Sequence, residues 1–312
     1  MNIQLLADFW IGVLILAGAY AILALGIQLN IGFTGLLNLG QSGFMAIGAY
    51  TTAILSVRGW PLLGAFGMGL MTTVVFSVLL GLPTLRLDED YFAIVTIAAA
   101  SIVTIFAQNL YPITGGMDGL TGFDNDWVVV RVQLLQWLDK LGLGNQFQVP
   151  LLIVVWATFL ILAISLIWLQ RTAWGRTLLA VREDEEAASA LGKNVRLLKL
   201  QSLGISALLS AIAGVLIALN LSVAYPDSFA LEATFIGTAI VLLGGLGSYG
   251  GVAFGAITVW VVLESSRFVD LPLTSDRLSA IRFLFIGVAL VGLAMFRPQG
   301  LFGNEEEMLL RD

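Results

Sequence analysis

Long apolar runs, separated by short charged stretches, are the main pattern of this chain. No charged residue occurs between Asp8 and Arg58. Since about 20 apolar residues span a bilayer, this run is long enough for two crossings. The whole pattern predicts about eight hydrophobic spans, at residues 9–31, 36–57, 62–82, 91–111, 149–170, 200–224, 233–263 and 280–296. We therefore expect an all-α polytopic membrane protein with a single transmembrane domain over residues 1–312.

Glycine-rich stretches interrupt this pattern once in each half of the chain. The first begins at Gly32, and the second lies between Gly244 and Gly251. Because paired glycine-interrupted spans point to a transport path, we expect both breaks to line one. The candidate path residues are Gly32, Thr34, Gly35, Asn38, Gln41, Ser42, Gly245, Gly247 and Ser248. Tight helix packing, with the polar groups bonded inside the protein, explains the same residues equally well.

The second break also contains the spacing G-x-G-x-x-G, from Gly245 to Gly250. That spacing binds a dinucleotide only where a strand precedes it and a helix follows it in a βαβ unit. An apolar span surrounds it here, so we interpret it as a broken or re-entrant segment. A single crossing at 233–263 stays open as an alternative. We favour the break, which places the C-terminal tail on the cytoplasmic side.

Residues 171–199 form a charged island between two uncharged runs. The island carries six of the fifteen basic residues, namely Arg171, Arg176, Arg182, Lys193, Arg196 and Lys199. A basic loop between two spans is typical of the cytoplasmic side. The acidic loop at 112–148 then lies on the periplasmic side, and its residues 127–143 predict a surface helix with Trp127 and Trp137 among the lipid headgroups.

A short helix is predicted inside the island, over residues 183–191, with Gly192 as its stop. Ala187 and Leu191 are four residues apart and Ala188 and Leu191 three apart, so the three residues share one face. That small, slightly apolar face suits docking into the groove of a partner. A helix that simply lies on the membrane explains the pattern equally well.

Composition limits the chemistry that this chain can perform. The chain is 58% hydrophobic and 12% charged, with no cysteine or histidine and a net charge of −6. We therefore expect no catalytic residue, no thiolate or imidazole metal site, no bound cofactor and no nucleic-acid partner. The spans carry almost no ionisable groups, which argues against proton coupling. No phosphate-binding loop is present either, so energy for uphill transport must enter through another subunit.

Several motifs resemble the permease subunits of bacterial importers driven by ATP-binding cassette (ABC) ATPases. Glu186-Ala187-Ala188-x-x-x-Gly192 resembles the cytoplasmic E-A-A-x-x-x-G loop of those subunits. Further stretches are similar to LivM-type permeases of branched-chain amino acid importers. They lie at residues 32–50, 90–96, 114–120, 175–184, 243–251 and 297–303.

The resemblance implies a permease subunit of the bacterial inner membrane that forms half of an amino acid path. It implies a second, related permease, two ATPases that use ATP and Mg²⁺, a periplasmic binding protein, and a fold like that of vitamin B12-type importers. The residues expected to contact the ATPase are Glu186, Ala187, Ala188, Leu191 and Gly192. Urea and short-amide permeases share much of this pattern. An ion-coupled carrier, a channel or a lipid-modifying enzyme is the rival from another class.

Overall fold

The computed structural model describes residues 3–140, 146–265, 287–288 and 301–302. Its helices are α1 Ile3–Ile27, α2 Gln41–Val57, α3 Leu62–Thr84, α4 Glu89–Asn109, α5 Tyr111–Thr114, α6 Asn125–Asp139, α7 Val149–Gln170, α8 Ala173–Glu183, α9 Glu185–Ala190, α10 Val195–Leu221, α11 Leu231–Gly244 and α12 Tyr249–Ser265. A π-helical segment, Gln28–Thr34, continues α1. Two short strands, β1 Leu120–Thr121 and β2 Val223–Ala224, form an antiparallel pair.

Five helices in the described part of the chain are long and apolar enough to cross a membrane. They are Ala7–Thr34, Leu62–Thr84, Asp90–Asn109, Val149–Gln170 and Val195–Leu221. The prediction of an all-α polytopic membrane protein is therefore confirmed. The prediction of eight spans is not confirmed. Helix α2 has only 17 residues, and the predicted span at 280–296 lies outside the described residues apart from 287–288.

The long helices divide into an inner and a peripheral set. In the most apolar window of each span, 72% of the first span and 78% of α10 are buried, against 22% to 28% in α3, α4 and α7. Peripheral side chains such as Leu79, Ile102 and Ile161 are more than half exposed. A helix that is apolar on every side suits either a core or a lipid contact. The peripheral helices therefore present apolar surface suited to lipid or to another subunit.

The helices run between two ends of the molecule, which we name by the segments that they carry. The island end carries residues 171–199, and the loop end carries residues 112–148. α7 connects the two ends with 22 residues, a length of about 33 Å at 1.5 Å per residue. At the loop end, β1 pairs with β2, which places Leu120 opposite Ala224. This pairing fastens the long loop to the connection between α10 and α11.

Helix α6 lies at the loop end, where the sequence predicted a surface helix. Trp137 is 71% exposed, as expected of a headgroup residue, but Trp127 is buried. Trp127 instead packs beside Arg131, whose guanidinium carbon lies 5.7 Å from the Trp127 ring centroid and 4.5 Å from that of Phe147. Burial lowers the pKa of Arg131, and nearby Asp124 opposes that shift. The prediction that Trp127 reaches the headgroups is therefore wrong, because its ring is buried beside Arg131.

The apolar segment at 233–263 is not one crossing but a helical hairpin. α11 and α12 pack against each other in opposite directions, so that Gly244 faces Gly251 and Ile240 faces Gly255. The turn between them lies at the island end. Residues 301 and 302 also lie there, because their backbone N–H groups donate to the carbonyls of residues 243 and 244. The structure of this segment therefore agrees with the predicted break at 233–263 and not with a single crossing.

Close backbone contact between α2 and α10 depends on small residues. A Cβ atom added at Gly214 would lie 2.3 Å from the carbonyl oxygen of Met45, whereas one added at Gly67 would meet nothing within 4 Å. Small residues at such crossings let membrane helices approach closely. The α2–α10 contact is therefore intolerant of even one extra methyl group.

We expect Gly214→Ala to destabilise the protein by about 1–3 kcal/mol, because α2 and α10 must separate to admit the methyl group. The measurement is the temperature at which the purified protein in detergent loses its monodisperse elution peak. Gly67→Ala, on exposed α3 surface, is the matched control and should leave that temperature unchanged. Equal midpoints for the two variants would contradict the close α2–α10 packing.

Candidate functional site

The first glycine break is the point where α1 ends and the chain turns towards α2. The π-helical segment Gln28–Thr34 closes at Gly35, which has a left-handed backbone with φ +72°. A residue with a Cβ atom adopts that conformation only with strain, so glycine fits here. Residues 35–40 are not helical, and α2 begins at Gln41. The predicted span at 36–57 therefore starts five residues late, because its first part is irregular backbone.

A stripe of serines on α10 bonds to the polar side chains of this break. Ser202, Ser206 and Ser210 are spaced four residues apart and are fully buried. The hydroxyl groups of Thr34 and Ser202 lie 2.6 Å apart. Gln41 donates from Nε2 to Ser206 Oγ at 2.7 Å and accepts at Oε1 from Ser210 Oγ at 2.6 Å. The stripe thus holds the irregular backbone against an inner helix.

Other partners of the break come from α4 and α11. The backbone N–H of Leu39 donates to the Thr96 hydroxyl at 3.2 Å, and that of Ser42 donates to the Thr234 hydroxyl at 2.9 Å. Asn38 accepts at Oδ1 from the N–H of Gly40 at 2.9 Å. Irregular backbone at membrane depth is tolerated only where protein groups or a water-filled cavity satisfy it. The first break is therefore bonded to three other helices, α10, α4 and α11.

The candidate path residues of the first break lie in the interior of the subunit. Thr34, Asn38, Gln41 and Ser42 are each at most 1% exposed. The Nδ2 atoms of Asn30 and Asn38 and the Oγ of Ser42 have no hydrogen-bond partner among the described residues. Gly32 is buried and Gly35 half-buried. In this conformation the described residues of the segment form a packed polar core.

The second break lies directly against the end of α1. Gly245 and Gly247 have φ values of +99° and +89°, and they form the turn of the α11–α12 hairpin. With its amide oriented to satisfy both groups, Gln28 accepts at Oε1 from the N–H groups of Gly247 and Ser248. Gly245 is buried, Ser248 is half-buried and Gly247 is exposed. The two breaks that the sequence placed far apart therefore meet at the island end.

Aromatic and amide contacts strengthen this meeting point. The rings of Phe33 and Tyr249 stack at 6.4 Å with an interplanar angle of 11°. Gln170, the last residue of α7, donates from Nε2 to the Tyr249 hydroxyl. α7 ends here and α8 follows within three residues. The charged island therefore starts beside both breaks.

The predicted island helix is shorter than expected and shows a different face. Helix α8 ends at Glu183, and Asp184 has an extended backbone with φ −156° and caps α9 by accepting from the Ala187 N–H. The helix is thus six residues long rather than nine. Ala188 is 4% exposed, whereas Leu191 is 81% exposed. Ala188 does not share the exposed face of Leu191, because the side of α9 that carries Ala188 lies against the rest of the subunit.

The other residues that the sequence predicted to contact the ATPase are accessible. Glu186, Ala187 and Gly192 are exposed along with Leu191. An ion pair between Glu185 and Lys199 fastens the start of α9 to α10. A polar cleft of about 730 Å³ lies between α9 and the α3–α4 turn, with Arg86, Asp88, Lys193 and Arg196 among its lining residues. The cleft and the exposed side of α9 together form an accessible, charged surface at the island end.

Sequence reasoning missed two groups of residues at this site. The serine stripe was visible as three serines four residues apart in an apolar run, which places them on one helix face. Arg182 was noted only as one basic residue of the island. In the structure its Nη1 donates to the Gly32 carbonyl at 2.5 Å. No sequence pattern indicates which island residue reaches α1. The described residues contain no cluster of acidic side chains suited to a metal ion.

Known transport proteins are similar to this chain over most of its length. The family model described as the permease component of the branched-chain amino acid transport system matches residues 9–293. The high-affinity branched-chain amino acid permease protein LivM of Escherichia coli strain K12 is 34% identical over 302 residues, covering 90% of this chain and 67% of the relative. No solved structure matches this chain significantly.

Two more distant relatives are matched by this chain over nearly their whole length. The probable permease LivM of Methanocaldococcus jannaschii is 25% identical over 334 residues, covering 93% of this chain and 92% of the relative. The permease protein LivH of Escherichia coli strain K12 is 25% identical over 310 residues and 93% of both chains. The similarity therefore includes both LivM and LivH permeases.

We expect Gln41→Leu to lower the stability of the protein by about 1 kcal/mol, because it removes two buried hydrogen bonds to the serine stripe. Thermal unfolding of the purified protein in detergent measures this loss. Gln136→Leu, at an exposed position of α6, is the control for adding the same apolar side chain. If both variants unfold at the wild-type temperature, the stripe does not stabilise the break.

Proposed function

Because this chain belongs to the family of branched-chain amino acid transport permeases, which are transport subunits and not enzymes, we propose that it forms half of an import path for branched-chain or related neutral amino acids. LivM and LivH relatives from several organisms carry branched-chain amino acid names. Those names favour this substrate class over urea or short amides. The protein is an integral membrane subunit of an ABC importer, and in this proposal it lies in the bacterial inner membrane.

The exposed helix α9 is the observation that carries the mechanism. It stands at the island end with Leu191 81% exposed, in a chain that has no phosphate-binding loop of its own. An exposed apolar side chain directly after a short helix suits a groove in another protein. In the proposed assembly, an ATPase binds α9 through Glu186, Ala187, Leu191 and Gly192, and Ala188 supports the helix from behind. Two such ATPases use ATP and Mg²⁺, and this chain binds neither.

The proposed topology places the two ends of the molecule on opposite sides of the membrane. The island at 171–199 lies in the cytoplasm and the loop at 112–148 in the periplasm, where a solute-binding protein delivers the substrate. Residues 301–302 share the island end, so the same proposal puts them on the cytoplasmic side. The whole chain is one permease domain of about eight apolar segments, including 280–296, in an arrangement like the vitamin B12-type importers. A second, related permease supplies the other half of the path.

The two glycine breaks are the proposed moving part of the path. They contact each other through Gln28 and through the Phe33–Tyr249 stack, and interrupted helices of this kind form the sites of many transporters. Since Thr34, Asn38, Gln41 and Ser42 are buried here, their proposed role in this conformation is to hold and release the break. Gly32, Gly35, Gly245, Gly247 and Ser248 provide the backbone turns that change when access alternates.

Reconstitution of the complete importer tests the function. Proteoliposomes would contain this chain, its partner permease and both ATPases, with the binding protein outside and Mg-ATP inside. We expect concentrative leucine uptake that requires both ATP and the binding protein, and no uptake by this chain alone. Radiolabelled leucine and urea are measured in parallel. Concentrative uptake by the isolated chain, or uptake of urea without leucine, would overturn the proposal.

We expect Leu191→Arg to detach the ATPase or to abolish ATP-driven uptake, because it forces a charge into an apolar groove. Co-purification of the ATPase and leucine uptake measure the two effects. Leu197→Arg makes the same substitution at an exposed leucine of α10 and should retain both activities. Normal co-purification and uptake in the Leu191 variant would show that α9 is not the docking helix.

A further inference from the structure

We propose that Arg182 is the positioning residue that transmits movement of α9 to the glycine breaks. This inference rests on the proposed import function and adds the residue through which the island acts on the path. Arg182 lies in the last turn of α8, two residues before the Asp184 cap of α9. Its guanidinium leaves the island and bonds to the end of α1.

The Arg182 side chain makes two kinds of contact with the first break. Nη1 donates to the Gly32 carbonyl oxygen at 2.5 Å. Its aliphatic stem packs on the turn at Gly35, where an added Cβ atom would lie 3.5 Å from Arg182 Cγ. One side chain of the island thus contacts Gly32, inside the π-helical segment, and Gly35, directly after it.

The chemistry of a helix end explains why an arginine suits this place. The last carbonyl groups of a helix lack partners within the helix and carry partial negative charge. Gly32 lies within the last turn before the π-helical segment ends at Thr34. A guanidinium satisfies such a carbonyl with a charge-assisted hydrogen bond, which is stronger than a neutral one. Arg182, a residue of α8, therefore caps the end of α1.

The anchoring of α8 makes this cap a mechanical connection. Leu178 and Val181 are buried, so α8 is held along one side, and α9 follows it after a single capping residue. A displacement of α9 by the ATPase therefore pulls on the last turn of α8, where Arg182 sits. From Gly32 the connection continues to the second break, because Gln28 lies one helical turn earlier and accepts from Gly247 and Ser248.

Another arginine of α8 shows that the contact is specific to one position. Arg176 is exposed, and its Nη1 donates to the Arg171 carbonyl at 2.9 Å, on the island itself. It has the same chemistry as Arg182 and lies on the same helix, yet this bond does not reach α1. Arg176 therefore serves as the matched control position.

The experiment compares Arg182→Met with Arg176→Met in the complete importer reconstituted in proteoliposomes. Methionine keeps an unbranched stem against Gly35 but cannot donate a hydrogen bond. ATP hydrolysis and leucine uptake are measured on the same vesicles, and their ratio is the readout. We expect Arg182→Met to retain ATPase binding and hydrolysis while uptake per ATP falls about fivefold or more, within the usual range of coupling between sites. Arg176→Met should keep the wild-type ratio.

The ratio separates transmission from simple structural support. A variant that only folds poorly lowers uptake and hydrolysis together and leaves uptake per ATP unchanged, which would overturn the inference. Arg182→Gln, which shortens the side chain and cannot reach Gly32 in the same geometry, provides a second variant. If neither variant assembles, Arg182 is a folding residue and the inference is also overturned. Absence of uptake by the wild-type importer would instead refute the proposed import function.

Discussion

Backbone that leaves the helix inside a membrane protein must find its hydrogen bonds within the protein, and this constraint organises the whole fold. Between Gly35 and Gly40 the chain is not helical, so its polar groups cannot bond to one another as in α1. The hydroxyls of Thr96 and Thr234 accept from the backbone N–H groups of Leu39 and Ser42. The serine stripe of α10 bonds to the polar side chains on either side of the break. Water is absent from the bilayer core and offers no substitute. The inner position of α10 suits this role, because its three serines are fully buried where they meet the break.

The same constraint brings the two glycine breaks together. The turn of the α11–α12 hairpin exposes backbone N–H groups, and Gln28 at the end of α1 accepts from two of them. The end of α1 in turn exposes carbonyl groups, and Arg182 from the island donates to one. Each irregular end is thus satisfied by a side chain of another segment. The consequence is a continuous set of contacts from the exposed helix α9 to both breaks, in a chain of a transport permease family.

Sequence patterns located the long peripheral helices well, because charged or polar residues mark their ends. The predicted span at 149–170 coincides with α7, and the one at 62–82 differs from α3 by two residues. Burial of individual residues was harder to predict. Trp127 and Ala188 were expected at surfaces and are buried, since Trp127 packs beside Arg131 and α9 rests on the subunit with Ala188 beneath it. Spacing along one helix identifies residues on a common face, but it does not tell which side the rest of the protein covers.

The sequence alone determined that the chain is a helical membrane protein, where its charged island lies, and that two glycine stretches break its apolar pattern. These properties depend on local composition and on the length needed to cross a bilayer. Tertiary structure decided which polar residues meet. Thr34 and Ser202 are 168 residues apart in the chain and 2.6 Å apart in space, and Arg182 reaches Gly32 across 150 residues. Apolar helices offer nearly the same composition on every side, so their neighbours are chosen by close packing and by a few buried hydrogen bonds that only the folded chain reveals.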